Sequence, residues 1–240
     1  DGWAPGRVLA SGLGAMGLLA RALDGAWWSG AATTRGARAV LAVLATIHLV
    51  LSPLLLVARS HQIASVSAGY VGRADASLPT GAGLHEGLVV AVTAPDPLTT
   101  PYAFSRRVAE GRPWPRRGAR LLVTPSAGVT TLRREGPRSV VVTASVPMPH
   151  DKLGPLYRGL AQPFRMSEVI ETDGMTATVV ERAEDGRARS VRFTFARDLD
   201  DPMYRWVHWV DGRFAAFPLP AVGATVTLAP IDWLKAMAGP

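Results

Sequence analysis

The chain has no cysteine and almost no lysine. Among its 240 residues there is no cysteine, which excludes disulfides, thiolate metal sites and a cysteine nucleophile within this sequence. Its only lysines are Lys152 and Lys235, so the net charge of +7 comes from arginines that are scattered singly or in pairs. A long basic run, the usual mark of a nucleic-acid-binding segment, is missing. We therefore predict no nucleic-acid partner.

Complete catalytic and cofactor motifs are also missing. Residues 12–17, GLGAMG, match the dinucleotide pattern GxGxxG. That pattern requires an acidic residue about twenty positions later to hold the ribose. No Asp or Glu lies between Asp24 and Asp75, so we predict no nucleotide cofactor. His150 and Asp151 are adjacent and complete no triad, so the sequence leaves it open whether the protein is an enzyme.

An uncharged apolar run of twenty residues occupies positions 39–58 (AVLAVLATIHLVLSPLLLVA). As a helix it would be about 30 Å long, which matches the hydrocarbon core of a bilayer. Arg35 and Arg38 precede the run and Arg59 follows it, where arginine side chains would reach the membrane interfaces. The sequence predicts a transmembrane helix over 38–58, and the alternative is a buried core helix.

A shorter apolar stretch lies upstream, at residues 8–20. Together with the longer run it predicts a helical hairpin, with helices at about 8–23 and 38–58. His48 lies near the middle of the longer run. An ionisable side chain is costly inside a bilayer, so its presence there suggests a functional site. The alternative is a neutral imidazole that is hydrogen-bonded to a neighbouring helix or to a backbone carbonyl.

The arginines also suggest an orientation. The loop between the two predicted helices carries Arg35 and Arg38, with Arg21 near its start, and the segment directly after the longer run carries Arg59 and then Arg73. This excess of one positive charge predicts that the loop is cytoplasmic and that the C-terminal region is extracytoplasmic. The abundance of Arg, Ala, Gly and Pro indicates a bacterial source, hence an inner-membrane protein. Because the chain does not begin with Met, we expect a fragment or a processed form.

Residues 61–83 are rich in Ser, Gly and Ala and predict a connector. Residues 84–146 contain β-branched runs and one segment with helical spacing. The predicted strands are 88–93, 120–124, 129–133 and 139–144, and the predicted helix is 99–110. This β-α-β-β order predicts a small α/β layer.

Three Asp-Gly pairs mark residues 147–240, at positions 173–174, 185–186 and 211–212. Asp-Gly favours the positive backbone φ angles of tight hairpin turns. The flanking segments predict strands at 167–172, 175–182, 188–196, 204–210, 213–217 and 224–229. We expect an antiparallel meander that closes as a small barrel or packs on the α/β layer. The predicted fold is thus a membrane-anchored α+β protein.

Two groups of polar and aromatic residues are candidates for a site. Asp198 and Asp200 form a DxD pattern, which can hold a divalent metal ion against a sugar-nucleotide diphosphate. The alternative is a solvated turn. Tyr204, Trp206 and His208 would share one face of a strand, where aromatic rings can stack on sugars or bases. The alternative is cross-strand packing.

A resemblance to known proteins rests on three segments, GLGAMGLLA at 12–20, HLVLSPLLL at 48–56 and a strand that ends in Ala94-Pro95-Asp96. The arrangement resembles the C-terminal part of uncharacterised multi-spanning bacterial membrane proteins. Some proteins of this build resemble integral-membrane glycosyltransferases that use lipid-linked sugars. Those enzymes place a catalytic acidic residue in an early extracytoplasmic loop, which this sequence lacks. The resemblance implies that the chain is an accessory domain.

Two functional hypotheses follow. The first is a non-catalytic, membrane-anchored extracytoplasmic domain that binds a partner, an envelope polymer or upstream membrane helices of its own protein. The second is a portion of an integral-membrane envelope glycosyltransferase that uses Asp198 and Asp200. In both, the lipid bilayer is a partner.

Overall fold

The computed structural model describes residues 21, 35–81, 84–125, 128–149, 158 and 162–238. The chain divides into two compact units, Asp1–Ser65 and Val66–Pro240. The first unit contains α1 (Arg35–Ala45), a π-helical segment (Thr46–Leu51) and α2 (Ser52–Val66), whose last residue belongs to the second unit. The helix predicted over 38–58 is confirmed. The helix predicted at 8–23 lies outside the described residues, apart from Arg21.

One helical stretch in the described part of the chain is long and apolar enough to cross a membrane. It runs over Ala42–His61, 20 residues with a mean hydropathy of 1.9, and 0 % of it is buried inside the chain.

Pro53 accounts for the π-helical segment. A proline inside a helix donates no backbone hydrogen bond, and its ring clashes with the carbonyl four residues earlier, here that of Leu49. In the preceding turns the backbone N–H of Ser52 donates to the carbonyl of Ile47, five residues back. This wider turn gives the ring of Pro53 room without ending the helix.

The second unit begins with helical turns and then alternates strands with short helices. Its helices are a π-helical segment at Ser67–Val71, α3 (Gly72–Ser77), α4 (Thr99–Ala109) and α5 (Trp233–Ala238). Its strands are β1 (Leu88–Thr93), β2 (Ala119–Val123), β3 (Thr130–Gly136), β4 (Ser139–Met148), β5 (Val169–Thr172), β6 (Met175–Arg182), β7 (Ala188–Phe195), β8 (Tyr204–Val210), β9 (Arg213–Ala216) and β10 (Thr225–Leu228). The predicted connector is helical as far as Ser77.

The strands form two sheets. A four-stranded mixed sheet has the order β2-β1-β8-β9, in which β1 is parallel to both of its neighbours. A six-stranded antiparallel sheet has the order β10-β3-β4-β7-β6-β5. Within the described residues neither sheet closes on itself, so the barrel alternative is wrong. Strands from 84–146 and from 147–240 take part in both sheets, because β8 pairs with β1 and β7 pairs with β4.

The mixed sheet lies in the middle of three layers. Leu88, Val90 and Val92 of β1 pack into the core shared with the antiparallel sheet. Val89 and Ala91 pack into a second core with residues of α3, α4 and α5. All six residues of β1 are therefore buried, which is typical of a parallel strand that is covered on both faces.

The three Asp-Gly pairs each lie in a hairpin turn, as predicted. They join β5 to β6, β6 to β7 and β8 to β9. The three glycines have positive φ angles, but Asp211 is the only one of the three aspartates with a positive φ. The turn at 211–212 therefore has the geometry that a type I′ turn requires, and the other two turns depend on glycine alone.

A buried ion pair joins α4 to α3. Arg107 is 1 % exposed, and its Nε donates to Oδ1 of Asp75 at 2.6 Å. Its Nη atoms donate to the backbone carbonyls of Asp75 (2.8 Å), Leu78 (3.2 Å) and Pro79 (3.0 Å). Burial alone would raise the pKa of Asp75, but hydrogen bonds from Arg112 and Arg107 outweigh it and lower that pKa. Each N–H group of the Arg107 guanidinium that points to α3 thus has a hydrogen-bond acceptor.

We expect Arg107→Met to lower the free energy of unfolding by about 3–5 kcal/mol, because it leaves a buried carboxylate and three carbonyls short of donors. Denaturant unfolding of the full chain in detergent, followed by tryptophan fluorescence, measures this loss. As a control, Arg187→Gln removes the part-exposed pair with Asp185 and should cost less than about 1 kcal/mol. Equal losses in the two variants would contradict the role assigned to Arg107.

Candidate functional site

An open cleft of about 880 Å³ lies at the end of the mixed sheet where β8 finishes. Its volume is in the range of small-molecule binding sites, about 300–1,000 Å³. The end of β8, the turn at 211–212, the segment after β9, strand β10 and the start of α5 form its walls. The largest apolar groups that line it are Trp209, Phe217, Leu228 and Ile231.

The sheet topology explains why a cleft forms there. From β1 the chain crosses to β2 on one side, through α4, whereas β8 lies on the other side of β1. Parallel strands whose connections diverge in this way leave a crevice at their carboxyl ends, where ligands of α/β proteins bind. Thr93 is the last residue of β1 at this crevice, and its hydroxyl accepts a hydrogen bond from the backbone N–H of Trp209 at 3.0 Å.

His208 is the one member of the predicted stretch Tyr204, Trp206 and His208 that lines this cleft. Its ring meets Phe217 edge to face, with centroids 5.2 Å apart. Burial lowers the pKa of His208, so at neutral pH the imidazole is uncharged and presents one donor and one acceptor. Neither ring nitrogen has a hydrogen-bond partner among the described residues, so both are available to a ligand.

Charged groups of both signs stand at the rim of the cleft. Asp211 lies in the turn after β8 with a φ of 47°, and Lys235 lies in α5. Within the part of the chain that is described, neither the carboxylate of Asp211 nor the ammonium of Lys235 has an ion-pair partner. Apolar walls with a few polar groups suit an amphipathic small molecule.

The structure places Asp198 and Asp200 beside an arginine. Arg134 is 6 % exposed and binds Asp200 with both Nη atoms, at 3.1 Å and 2.5 Å. The nearest oxygen of Asp198 is 3.5 Å from Arg134. The hydrogen bond from Arg134 lowers the pKa of Asp200. No group of three or more His, Asp or Glu residues placed to hold a metal occurs in the described ranges, so the metal site stays a prediction.

Tyr204 and Trp206 lie in the core between the two sheets. They are 5 % and 9 % exposed, and both rings contact Phe195, with centroids 5.3 Å and 5.2 Å apart. The indole N–H of Trp206 donates to the carbonyl of Leu199 at 2.9 Å. These contacts are packing between the two sheets, since Phe195 lies on β7 and the two rings on β8. His208 lies at the open end of the same strand face.

His48 lies in the π-helical segment of the first unit and is half-buried. Among the described residues its imidazole has no hydrogen-bond partner. Its functional role therefore stays a prediction. Residues 12–17 and the His150-Asp151 pair lie outside the described residues.

Most residues of the cleft carry no signal in the sequence. Phe217, Leu228 and Lys235 carry no motif, and they reach His208 only because β9, β10 and α5 return to the end of β8. A sequence signal does exist in retrospect, since Lys235 is one of only two lysines in the chain.

Comparison with known proteins returns no match. No family model, no curated protein and no solved structure matches this chain.

We expect His208 to titrate below the ordinary histidine value of about 6.5. The pKa of His208 is lower in the folded state than in the unfolded state. The contribution of neutral His208 to the free energy of unfolding is therefore present above about pH 6.5 and is lost as the pH falls. Phe217→Ala should expose the ring and raise its midpoint, as measured by NMR of ¹⁵N-histidine-labelled protein in detergent. Phe164→Ala, which removes a ring stacked on Arg158, should leave the midpoint unchanged. A wild-type midpoint at or above 6.5 would refute this account.

Proposed function

We propose that the chain is a membrane-anchored accessory or binding domain. Helix Ala42–His61 crosses the inner membrane of a bacterium, and the unit Val66–Pro240 binds its ligand or partner on the extracytoplasmic side. The observation that carries the anchor is that residues 49–57 of this helix expose large apolar side chains in every direction.

Consecutive positions show this most clearly. Leu54, Leu55 and Leu56 are 62 %, 61 % and 71 % exposed. Successive residues of a helix point about 100° apart, so these three side chains cover most of its circumference. A docked protein would cover one stripe of such a helix, whereas lipid covers every face. Apolar exposure all round therefore favours a bilayer over a protein partner.

The polar side chains of the same helix support this proposal. The hydroxyls of Thr46 and Ser52 donate to the carbonyls of Ala42 and Ile47, each at 2.8 Å. Ser60 donates to the carbonyl of Val57 at 2.7 Å. Side-chain donors that are satisfied within the helix need no water, which is a requirement in hydrocarbon.

Ligand binding is assigned to the cleft around His208. It combines apolar walls with polar groups that are unpartnered among the described residues. We favour a binding function over glycosyl transfer because the carboxylates of the DxD pattern already neutralise Arg134. A divalent metal at Asp198 and Asp200 would have to displace that guanidinium.

We expect the full chain to remain in bacterial membranes after carbonate extraction. The double variant Val50→Arg, Leu54→Arg should be released or fail to insert, because each arginine near the middle of a membrane helix costs about 2.5–3.5 kcal/mol. The matched control is Val169→Arg, Val222→Arg, which adds the same charge at exposed positions of the second unit and should stay in the membrane. Release of the folded wild-type chain by carbonate would overturn the anchor.

Orientation is tested by labelling, because the chain has no cysteine of its own. Gly36→Cys and Val222→Cys place one exposed thiol on each side of Ala42–His61. In intact spheroplasts a membrane-impermeant maleimide should label Val222→Cys, and it should label Gly36→Cys only after lysis. The reverse pattern would place the second unit in the cytoplasm, and equal labelling of both thiols would show that the helix does not cross.

A further inference from the structure

The cleft around His208 runs along the open edge of a β-strand. Strand β10 is the last strand of the antiparallel sheet and pairs with β3 alone among the described strands. Three consecutive residues of β10, Val226, Thr227 and Leu228, line the cleft. Successive side chains of a strand point to opposite faces of its sheet. Three neighbours in sequence can therefore border one cleft only where the cleft passes the edge of the strand, where its backbone is accessible.

The pairing with β3 shows which backbone groups of β10 point away from the sheet. In an antiparallel pair, residues that exchange hydrogen bonds with the partner strand alternate with residues whose N–H and C=O groups point the other way. The backbone N–H of Arg134 donates to the carbonyl of Ala224 at 3.1 Å. The bonded positions are therefore Ala224 and every second residue after it. The N–H and C=O groups of Thr225 and Thr227 consequently point away from β3.

These backbone groups are unpartnered in the part of the chain that the structure describes. No described strand lies on the far side of β10, and no described group bonds to the backbone of Thr225 or Thr227. Residues two apart in a strand present a donor and an acceptor at a repeat of about 6.8 Å. A second extended main chain carries its own donors and acceptors at the same repeat. The open edge of β10 thus has the hydrogen-bonding pattern that another strand completes.

The side chains along this edge indicate the sequence of a matching strand. Val226 and Leu228 pack into the core between the two sheets, and Phe217 belongs to the same core and also lines the cleft. Thr225 and Thr227 are exposed on the opposite face. A strand that is added to an edge continues both faces of the sheet. Its side chains should therefore alternate between apolar residues on the core side and polar residues on the solvent side.

We propose that β10 binds an extended segment of another protein, which lies in the cleft and extends the antiparallel sheet by one strand. Alternate backbone groups of the segment bond to those of Thr225 and Thr227, and its apolar side chains face Phe217. This inference rests on the ligand-binding role proposed for the cleft and names the class of ligand. It does not depend on the membrane anchor.

The probe is an uncharged five-residue peptide of alternating threonine and valine, blocked at both ends. Two matched peptides carry N-methyl groups, one on its two valines and the other on two of its threonines. Because the N–H groups of alternate residues point to opposite edges of a strand, only one of these two sets faces β10. Isothermal titration calorimetry of the full chain in detergent should show saturable binding of the parent peptide. One methylated peptide should bind at least about tenfold more weakly, and the other should keep the parent affinity.

A proline variant tests the same edge from the side of the protein. Thr227→Pro removes an N–H that points away from β3, a position where edge strands tolerate proline. It should keep the melting temperature of the wild type and weaken the parent peptide at least about tenfold. Glu171→Pro is the matched control, since Glu171 is likewise the third residue of a four-residue edge strand and its N–H points away from β6 by the same alternation. It should leave the peptide affinity unchanged.

The outcomes separate this inference from the function on which it rests. If the parent peptide does not bind, or if folded Thr227→Pro binds it as well as the wild type does, the proposal is overturned. Equal binding of both methylated peptides would also overturn it, but the cleft would remain a binding site. A dimer of the full chain in sedimentation equilibrium that Thr227→Pro dissociates would assign the edge to a second copy of this chain and overturn the proposal of a different partner.

Discussion

The arrangement of the second unit depends on the buried pair between Arg107 and Asp75. The guanidinium of Arg107 binds the carboxylate of Asp75 and three backbone carbonyls at the end of α3. Transfer of an arginine side chain from water to the protein interior costs free energy. That cost is offset only when its N–H donors are hydrogen-bonded to acceptors. The pair therefore permits one placement of α4 against α3. Since both helices pack on β1, this pair also sets the layer that covers the central strand.

The cleft around His208 follows from the central position of β1. A strand that is parallel to both neighbours leaves its connections diverging, which opens a crevice at its carboxyl end. Carboxylates are scarce in this basic chain, and those of Asp75, Asp200 and Glu135 already pair with arginines. Lys235, at the rim of the cleft, has no ion-pair partner among the described residues.

The helix of the first unit differs from a soluble helix in the side chains that it exposes. Residues 49–57 of this helix expose apolar side chains on every face, and the hydroxyls of Thr46 and Ser52 bond to the helix backbone. Soluble helices bury one stripe and expose a polar face. The anchor and the binding unit are therefore proposed as separate functions of one chain.

By itself the sequence determined the features that short-range patterns control. The strands at 88–93, 175–182 and 204–210 begin and end as predicted, the Asp-Gly hairpins form, and the apolar helix is present, because alternation, turn chemistry and hydropathy act over a few residues. Only the tertiary structure decided which strands pair, since the pairing of β8 with β1 joins segments more than a hundred residues apart. It likewise decided that Tyr204 and Trp206 are core residues while His208 meets a cleft, because one strand face runs from the sheet interior to its open end.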